Sequence, residues 1–199
     1  MQDTIKLGIV IPHYVNNEIC DIQLKKLLNN LKKQVNKDVM IVIVEDGQTT
    51  KWIDDYGFVV FRNDKNRGLG YSRNVGINYL IDKVEYIGFI DSDDNVSANY
   101  IKEILKYCDG KNEKISTKFI KRNHLTNEEK DITDRTSVTG RNYRADIIGS
   151  LRFKNVAVGE DNIFEYHIGE TKEVYCDAIY YYEFGINKDS IIMTAIKNQ

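Results

Sequence analysis

Four short apolar runs rich in β-branched residues constrain this fold more than any other feature of the chain. The runs occupy residues 7–11, 39–44, 58–61 and 86–90. Continuous apolar runs are typical of parallel strands that are buried on both faces. Residues 18–31 show helical spacing of apolar residues, and a glycine-containing loop leads into a second helix expected at 70–82. The order of these elements predicts an α/β fold with a mostly parallel central sheet flanked by helices.

The second half of the chain is less regular. Its expected elements are an amphipathic helix at 97–108, a strand at 114–122, a polar loop at 123–140, a turn and short helix at 159–168, and a strand or strand pair at 173–184. No linker composition marks a boundary, so the 199 residues are interpreted as one domain. Residues 1–95 would form a nucleotide-binding half and residues 96–199 a smaller lobe.

Composition excludes several classes of protein. The net charge of −2 gives no bulk signal for nucleic acid or membrane. No apolar run approaches the ~20 residues that span a bilayer, so stable membrane insertion is not expected. Cys20, Cys108 and Cys176 are far apart, which favours reduced thiols over a disulfide framework or a zinc site. With no basic leader at the N-terminus, a cytoplasmic protein is expected, with a peripheral position at the inner membrane face left open.

The most unusual stretch is "IGFIDSDDN" at residues 87–95, where a buried strand ends in Asp91, Asp93 and Asp94. Aspartates ahead of the next helix could cap its free N–H groups, but one aspartate suffices for that. Three close carboxylates fit a site for Mn²⁺ or Mg²⁺, whose charge would relieve their repulsion. Ligands of parallel sheets bind at the carboxyl ends of the strands, which places residues 12–14, Asp46 and this cluster on one rim.

Other nucleotide and hydrolase motifs are missing. The first strand is followed by "PHYVNN", which has no glycine-rich turn, so a Rossmann site and a nucleotidylyltransferase are both disfavoured. The sequence contains neither a P-loop nor a G-x-S-x-G elbow. The three histidines form no metal-ligand spacing.

Six segments, in order, resemble the family 2 glycosyltransferases, which are inverting enzymes of GT-A fold that use nucleotide sugars. The segments are "IVIPHY", "IVIVEDG", "NRGLGYSRNVGI", "IGFIDSDD", "GRNYRADIIGSLRF…VGEDNIF" and "YYYEFGINKDSI". They are similar to the family's first strand and turn, its V-D-D-G segment, its N-x-G-x-x-x-A-R-N-x-G segment, its D-x-D-D strand end, its acceptor-side Glu-Asp pattern and its closing Tyr-rich strand. The resemblance covers nearly the whole chain and implies a GT-A fold with an acceptor-side lobe.

The resemblance also implies the roles of individual residues. Asp46 would accept a hydrogen bond from the base of the nucleotide, which by family analogy is uracil. The residues implied in binding a UDP-sugar are Pro12, Tyr14, Asp46, Asn66, Gly68, Arg73, Asn74, Asp91 and Ser92. The implied metal ligands are Asp91, Asp93 and Asp94, and which pair holds Mn²⁺ or Mg²⁺ is left open. Arg73 has the alternative of being a salt-bridged surface residue.

Asp161 is implied as the general base that takes the proton of the acceptor hydroxyl. Its alternative is a helix cap at the start of the 161–168 helix. Glu160, Arg141 and Tyr182 would line the acceptor side. The acceptor would be a glycan, a lipid-linked sugar or another hydroxyl compound. The alternatives are a protein or modified nucleic-acid base acceptor, and a catalytically inactive nucleotide-sugar-binding protein.

Two departures from the family pattern stand out. Glu183 and Phe184 occupy a stretch where many relatives place a His or Arg, and His167 is a poor substitute. A third protein ligand to the metal is therefore left open. Residues 111–152 carry ten Lys and Arg against six acids, which fits an anionic acceptor or a solvated charged face.

Overall fold

The computed structural model describes residues 4–133, 135–156 and 158–187. The strands are β1 Ile5–His13, β2 Val39–Asp46, β3 Val59–Asn63, β4 Val84–Phe89, β5 Asn95–Val96, β6 Lys114–Asn123, β7 Glu128–Asp131, β8 Arg141–Arg144 and β9 Glu173–Phe184. The helices are α1 Glu18–Lys32, α2 Leu69–Leu80, α3 Tyr100–Leu105, α4 Ala145–Ile148 and α5 Glu160–Ile168, with a 3₁₀ helix at Lys51–Tyr56. The Ser-Ile pair at 190–191 of the closing motif lies outside the described residues.

The first half forms the parallel part of one sheet, in the order β3-β2-β1-β4. Both faces are covered, which explains the continuous apolar runs. On one face, Leu24 and Leu28 of α1 pack with Ile9 of β1. On the other, α2 lies so close to β1 that a Cβ at Gly76 would meet Val10 Cγ1 at 2.4 Å. The predicted parallel α/β core is confirmed.

The second half extends the same sheet with mixed pairing. β8 pairs antiparallel with β4 and with β6, while β6 and β9 run parallel. β5 and β7 add antiparallel partners to β9 and β6. Lys114 of β6 is buried and forms ion pairs with Glu165 and Glu173. This half is therefore held together by buried ionic contacts as well as apolar packing.

Several boundaries of the second half differ from expectation. The helix expected at 97–108 is shorter, Tyr100–Leu105, because Ser97 bonds with Ile179 of β9 and fixes the preceding turn. The region 123–140, expected as a loop, contains β7, which pairs with β6 as a charged hairpin. Residues 173–184 form a single strand. The short β5, β8 and α4 were not predicted. Within the described residues no helix is both long and apolar enough to cross a membrane.

Candidate active site

The carboxyl ends of β1, β2 and β4 lie side by side, as the rim prediction required. His13 is opposite Glu45 in the parallel register, and Pro12 is opposite Val44. His13 is buried, and its Nδ1 lies 3.1 Å from Ser92 Oγ. Ser92 belongs to the turn after β4 that contains Asp91, Asp93 and Asp94, called the acidic turn below. Burial lowers the pKa of His13 to about 4, so the imidazole is neutral at pH 7. A neutral ring thus connects the first strand to the turn after the fourth.

Asp46 organises the loop between β3 and α2. Its Oδ1 accepts hydrogen bonds from Asn63 Nδ2 at 2.8 Å and from the Arg67 amide at 2.9 Å. Its Oδ2 accepts one from the Gly68 amide at 2.8 Å. Gly68 has a φ of 93°, which favours glycine because a Cβ would be strained there. A carboxylate has about four acceptor positions, so these three donors leave one on Oδ2.

The loop reaches Asp46 only because backbone packs on backbone. A Cβ at Gly47 would lie 2.3 Å from the Asn66 amide nitrogen, and Gly47 has a φ of 88°. Asn66 Oδ1 also accepts from the Gly68 amide at 3.0 Å. The predicted site residues Asn66 and Gly68 therefore lie directly beside Asp46.

The acidic turn after β4 contains carboxylates with different surroundings. Asp94 is buried, and its oxygens accept from the Tyr180 hydroxyl at 2.5 Å and the Glu183 amide at 2.9 Å. Burial raises the pKa of Asp91, and burial together with the charge of Asp91 raises the pKa of Asp93 to about 6. Asp91 and Asp93 are only partly buried, whereas Asp94 is committed to holding β9 against the turn.

Arg73 of α2 joins this turn to the start of α5. The side chain is 1% exposed, so the alternative of a surface residue is wrong. Its Nη2 lies 2.9 Å from Asp91 Oδ1, and its Nη1 lies 3.0 Å from Glu160 Oε1 and 2.5 Å from Asp161 Oδ1. Burial lowers the pKa of the guanidinium, but the three carboxylates outweigh it and the net pKa is raised. One buried cation thus connects Asp91, after β4, with Glu160 and Asp161, at the start of α5.

Asp161 is positioned on its other side by the segment before β8. Its Oδ2 accepts from Ser137 Oγ at 3.2 Å and from the Val138 amide at 3.1 Å. Asp161 occupies the first turn of α5, where the helix dipole stabilises a negative charge. With Arg73 on Oδ1, described residues supply three donors, and one acceptor position on Oδ1 remains free.

The structure places the other predicted residues less centrally. Asn74 uses its whole amide on the backbone of Phe153, at 2.9 and 2.8 Å, which docks the segment before α5 onto α2. Arg141 pairs with Glu165 at 2.9 Å. Tyr182 stacks on Phe119 with centroids 6.0 Å apart. Tyr14 is 46% exposed at the rim, and Pro12 is buried in β1.

Three contributors to the site were given no role from the sequence: His13, which was placed on the rim only as part of residues 12–14, Tyr180, and the 137–138 segment. Tyr180 had a usable signal, since it lies two residues before the predicted Tyr182 and alternate residues of a strand share a face. His13 directly follows Pro12 in the quoted first motif. The Val138 contact had no signal, because a backbone amide has no residue identity, and nothing local in the sequence connects the Ser137 hydroxyl with Asp161.

Asp91 and Asp93 could supply part of the ligand set of a divalent cation. No group of three or more His, Cys, Asp or Glu in the described chain is arranged to hold a metal ion. Asp91 and Asp93 nevertheless retain oxygens that accept from no described side chain beyond Arg73. Mg²⁺-type sites often use one or two carboxylates and take other ligands from substrate phosphates and water. The donor set therefore fits a cation that binds together with a nucleotide diphosphate.

Comparison with known proteins identifies the class. Residues 9–156 match the family model for glycosyl transferase family 2, and the chain belongs to this family. The glycosyltransferase GlyA of Streptococcus pneumoniae is 28% identical over 51% of this chain and 15% of its own length. The chain spans half or less of the length of the curated relatives it matches.

Solved structures agree on the fold. TarS from S. aureus, in complex with UDP-GlcNAc, matches 96% of this chain and 61% of that chain with a TM-score of 0.76 at 18% identity. The mannosyltransferase PcManGT from Pyrobaculum calidifontis, in complex with GDP-Man and Mn²⁺, matches 86% of this chain and 56% of that chain with a TM-score of 0.65 at 13% identity. The GT-A expectation for the fold is confirmed.

Proposed function

We propose that this chain is a metal-dependent, inverting glycosyltransferase that moves a sugar from a UDP-sugar to an acceptor hydroxyl. One observation carries the proposal: the Arg73 guanidinium contacts both Asp91, at the end of β4, and Asp161, at the start of α5. Acids suited to the leaving group and an acid suited to the incoming hydroxyl therefore lie within the span of one side chain. Membership of glycosyl transferase family 2 supports this reading.

The donor would bind along the rim between β2 and the acidic turn. The free acceptor position on Asp46 Oδ2 suits an N–H donor of the base, such as the imide of uracil. The Arg67 and Gly68 amides already donate to Asp46. The binding site for the base would therefore be formed before the nucleotide binds. The TarS structures contain UDP-GlcNAc or UDP, which supports a uridine nucleotide.

Asp91 and Asp93 would hold the Mn²⁺ or Mg²⁺, because Asp94 is already bonded to β9. When bound, the cation would supply positive charge that stabilises the departing diphosphate. Burial and then the charge of Asp91 raise the pKa of Asp93 to about 6, and a bound cation would offset both effects. The mannosyltransferase structure that contains Mn²⁺ adds support from a related fold.

Asp161 would act as the general base in one displacement step. The acceptor oxygen forms a bond to the anomeric carbon, the bond from that carbon to the diphosphate oxygen breaks, and the hydroxyl proton passes to Asp161. The free position on Asp161 Oδ1 is where the hydroxyl would donate. A single displacement needs no enzyme nucleophile and inverts the anomeric centre. The acceptor would be a glycan, a lipid-linked sugar or another hydroxyl compound.

A thermal-shift panel tests the donor and the metal together. UDP, GDP and ADP would each be added with Mn²⁺, with Mg²⁺ or with EDTA. We expect UDP with Mn²⁺ to raise the melting temperature most, because a ligand that binds only the native state stabilises it by mass action. Release of UDP from a panel of UDP-sugars then identifies the sugar. The proposal fails if no nucleoside diphosphate stabilises the protein in the presence of Mn²⁺.

A further inference from the structure

The cations of residues 111–152 are mostly neutralised within the fold. Lys114 and Arg141 pair with Glu165, Arg122 pairs with Glu129, and Arg144 pairs with Asp146. Arg135 is among the cations that are not neutralised in this way, because it is half-buried and forms no ion pair with a carboxylate of the described residues. A guanidinium stays charged at neutral pH, so Arg135 carries a positive charge that no carboxylate of the described residues pairs with.

Arg135 is held by groups that fix its direction without neutralising it. Its guanidinium donates to the carbonyls of Ser137, Thr139 and Gly140. The guanidinium carbon lies 4.4 Å from the centroid of the Phe119 ring. Burial and then the charge of Arg141 lower the pKa of Arg135. An anion near the guanidinium would offset both effects.

A cavity of about 220 Å³ opens beside this guanidinium. Arg135 and Arg141 line it together with Thr133 and Tyr175. Lys118 and Asp131 also line it, and Lys118 is already paired with Asp177 at 3.3 Å. Asp131 forms no ion pair with Arg135. The cavity is large enough for a phosphate or carboxylate group with several waters, since a water occupies about 30 Å³.

The cavity is connected to the proposed base by a short piece of chain. Ser137 and Val138 donate to Asp161, and Arg135 lies two residues before Ser137. Two residues span at most about 7 Å between their Cα atoms, so a residue lining the cavity and the residues that hold Asp161 lie on one short segment. Arg141 Nη2 donates to the Arg135 carbonyl at 2.7 Å, which anchors the far end of this segment.

We propose that the cavity lined by Arg135 and Arg141 binds a phosphate or carboxylate of the acceptor, so that the substrate is an anionic hydroxyl compound. The assignment of this anion to the acceptor rests on the proposed glycosyltransferase function. The anion places the acceptor, and its hydroxyl then points along the 135–139 segment to Asp161. Arg135 contacts the substrate charge and takes no part in proton transfer.

The first experiment measures binding of inorganic phosphate by thermal shift, with and without saturating UDP and Mn²⁺. UDP fills the donor site, so the remaining phosphate effect reports a separate site. Thr133→Asp introduces a carboxylate at the cavity without removing the carbonyl contacts of Arg135, and Thr133→Asn is its neutral match. We expect Thr133→Asp to weaken phosphate binding at least tenfold and Thr133→Asn to change it less than twofold. Arg135→Gln should behave like Thr133→Asp if it folds.

The second experiment separates an acceptor group from a free phosphate effector. Transfer is measured with pairs of acceptors that differ only in charge, such as methyl glucoside against its 6-phosphate and against methyl glucuronide. We expect the charged member to have a KM at least tenfold lower and the preference to vanish in Thr133→Asp. Equal KM values within each pair would overturn the proposal even if phosphate binds.

The remaining outcomes also decide. Phosphate binding that is unchanged in Thr133→Asp overturns the cavity as the anion site. If UDP with Mn²⁺ does not raise the melting temperature, the proposed function fails. The assignment of the cavity to an acceptor then fails as well, whether or not phosphate binds. If UDP binds but phosphate does not, only the anionic-acceptor proposal falls.

Discussion

Asp46 at the end of β2 and Asp161 at the start of α5 each accept three hydrogen bonds from described residues, yet the donors differ in kind. Those of Asp46 are two backbone amides and the side-chain amide of Asn63. Those of Asp161 include the charged guanidinium of Arg73. Neutral amides fix a carboxylate in place as a recognition group. The buried cation instead gives Asp161 a counter-ion that it shares with the neighbouring carboxylates Asp91 and Glu160.

The largest expected effect separates the two aspartates by function. Asp161→Asn should lower the transfer rate by about 10²–10⁴-fold, the usual contribution of a general base, while UDP binding stays within about twofold. Asp46→Asn should instead weaken UDP binding about tenfold, because an amide oxygen is a weaker acceptor for the loop and the base. Measured rates of UDP release and thermal shifts with UDP distinguish the two.

The matched control for both is Asp146→Asn, which changes an exposed aspartate at the start of α4. It should leave both measurements unchanged. Loss of UDP binding in Asp161→Asn would contradict the role of that residue as base.

The next effect tests whether the shared cation matters more than the backbone amides. Arg73→Ala should destabilise the fold by about 3–5 kcal/mol, because it leaves a cluster of buried and half-buried carboxylates without their counter-ion. Arg73→Lys should recover part of that loss, since an ammonium keeps the charge but not three directed contacts. Urea unfolding gives both values. Arg152→Ala, at a surface arginine that donates to Asn78, is the control. An equal loss of stability in that variant would contradict the role of Arg73 as the counter-ion of the carboxylates.

A smaller effect, on the donor side, depends on pH. His13 has a folded pKa of about 4 against 6.5 when unfolded, so between these values the unfolded chain binds the additional proton. Stability from His13 is therefore complete above pH 6.5 and is lost as the pH falls toward 4, by about 3 kcal/mol. His13→Gln should lack this component. The difference in free energy of unfolding between the unchanged protein and His13→Gln should therefore become smaller from pH 7 to pH 4. His167→Gln, at an exposed histidine, is the control variant.

The smallest effect concerns the hydrogen bond that holds Asp94 against β9. Tyr180→Phe removes the hydroxyl that donates to Asp94 and should cost about 1–2 kcal/mol of stability. Mn²⁺-dependent UDP binding should weaken only slightly, since Asp91 and Asp93 are the proposed ligands. Tyr181→Phe is the neighbouring control. A complete loss of metal-dependent binding in Tyr180→Phe alone would reassign the ligand pair to include Asp94.

The parallel half of the fold was predictable because its signal is local. The runs at 7–11 and 39–44 are apolar throughout, and only a strand covered on both faces buries every residue of such a run. Their order then fixed the rim on which Asp46 and the acidic turn lie. In the mixed half, β7 was missed because all four of its residues are exposed and charged, so they show no apolar pattern. These residues form a strand because they pair with β6.

The sequence by itself determined the family, the parallel core and the identity of the acidic residues, because these depend on residue type and order along the chain. Only the tertiary structure decided which acids share a counter-ion. Arg73 and Asp161 are separated by 88 positions, and no local pattern predicts a 2.5 Å contact between them. It also decided that Asp94 is bonded to Tyr180 while Arg135 has no described carboxylate partner. Charge compensation is a property of distance in space, and the packing of α2, α5 and β9 around the turn sets those distances.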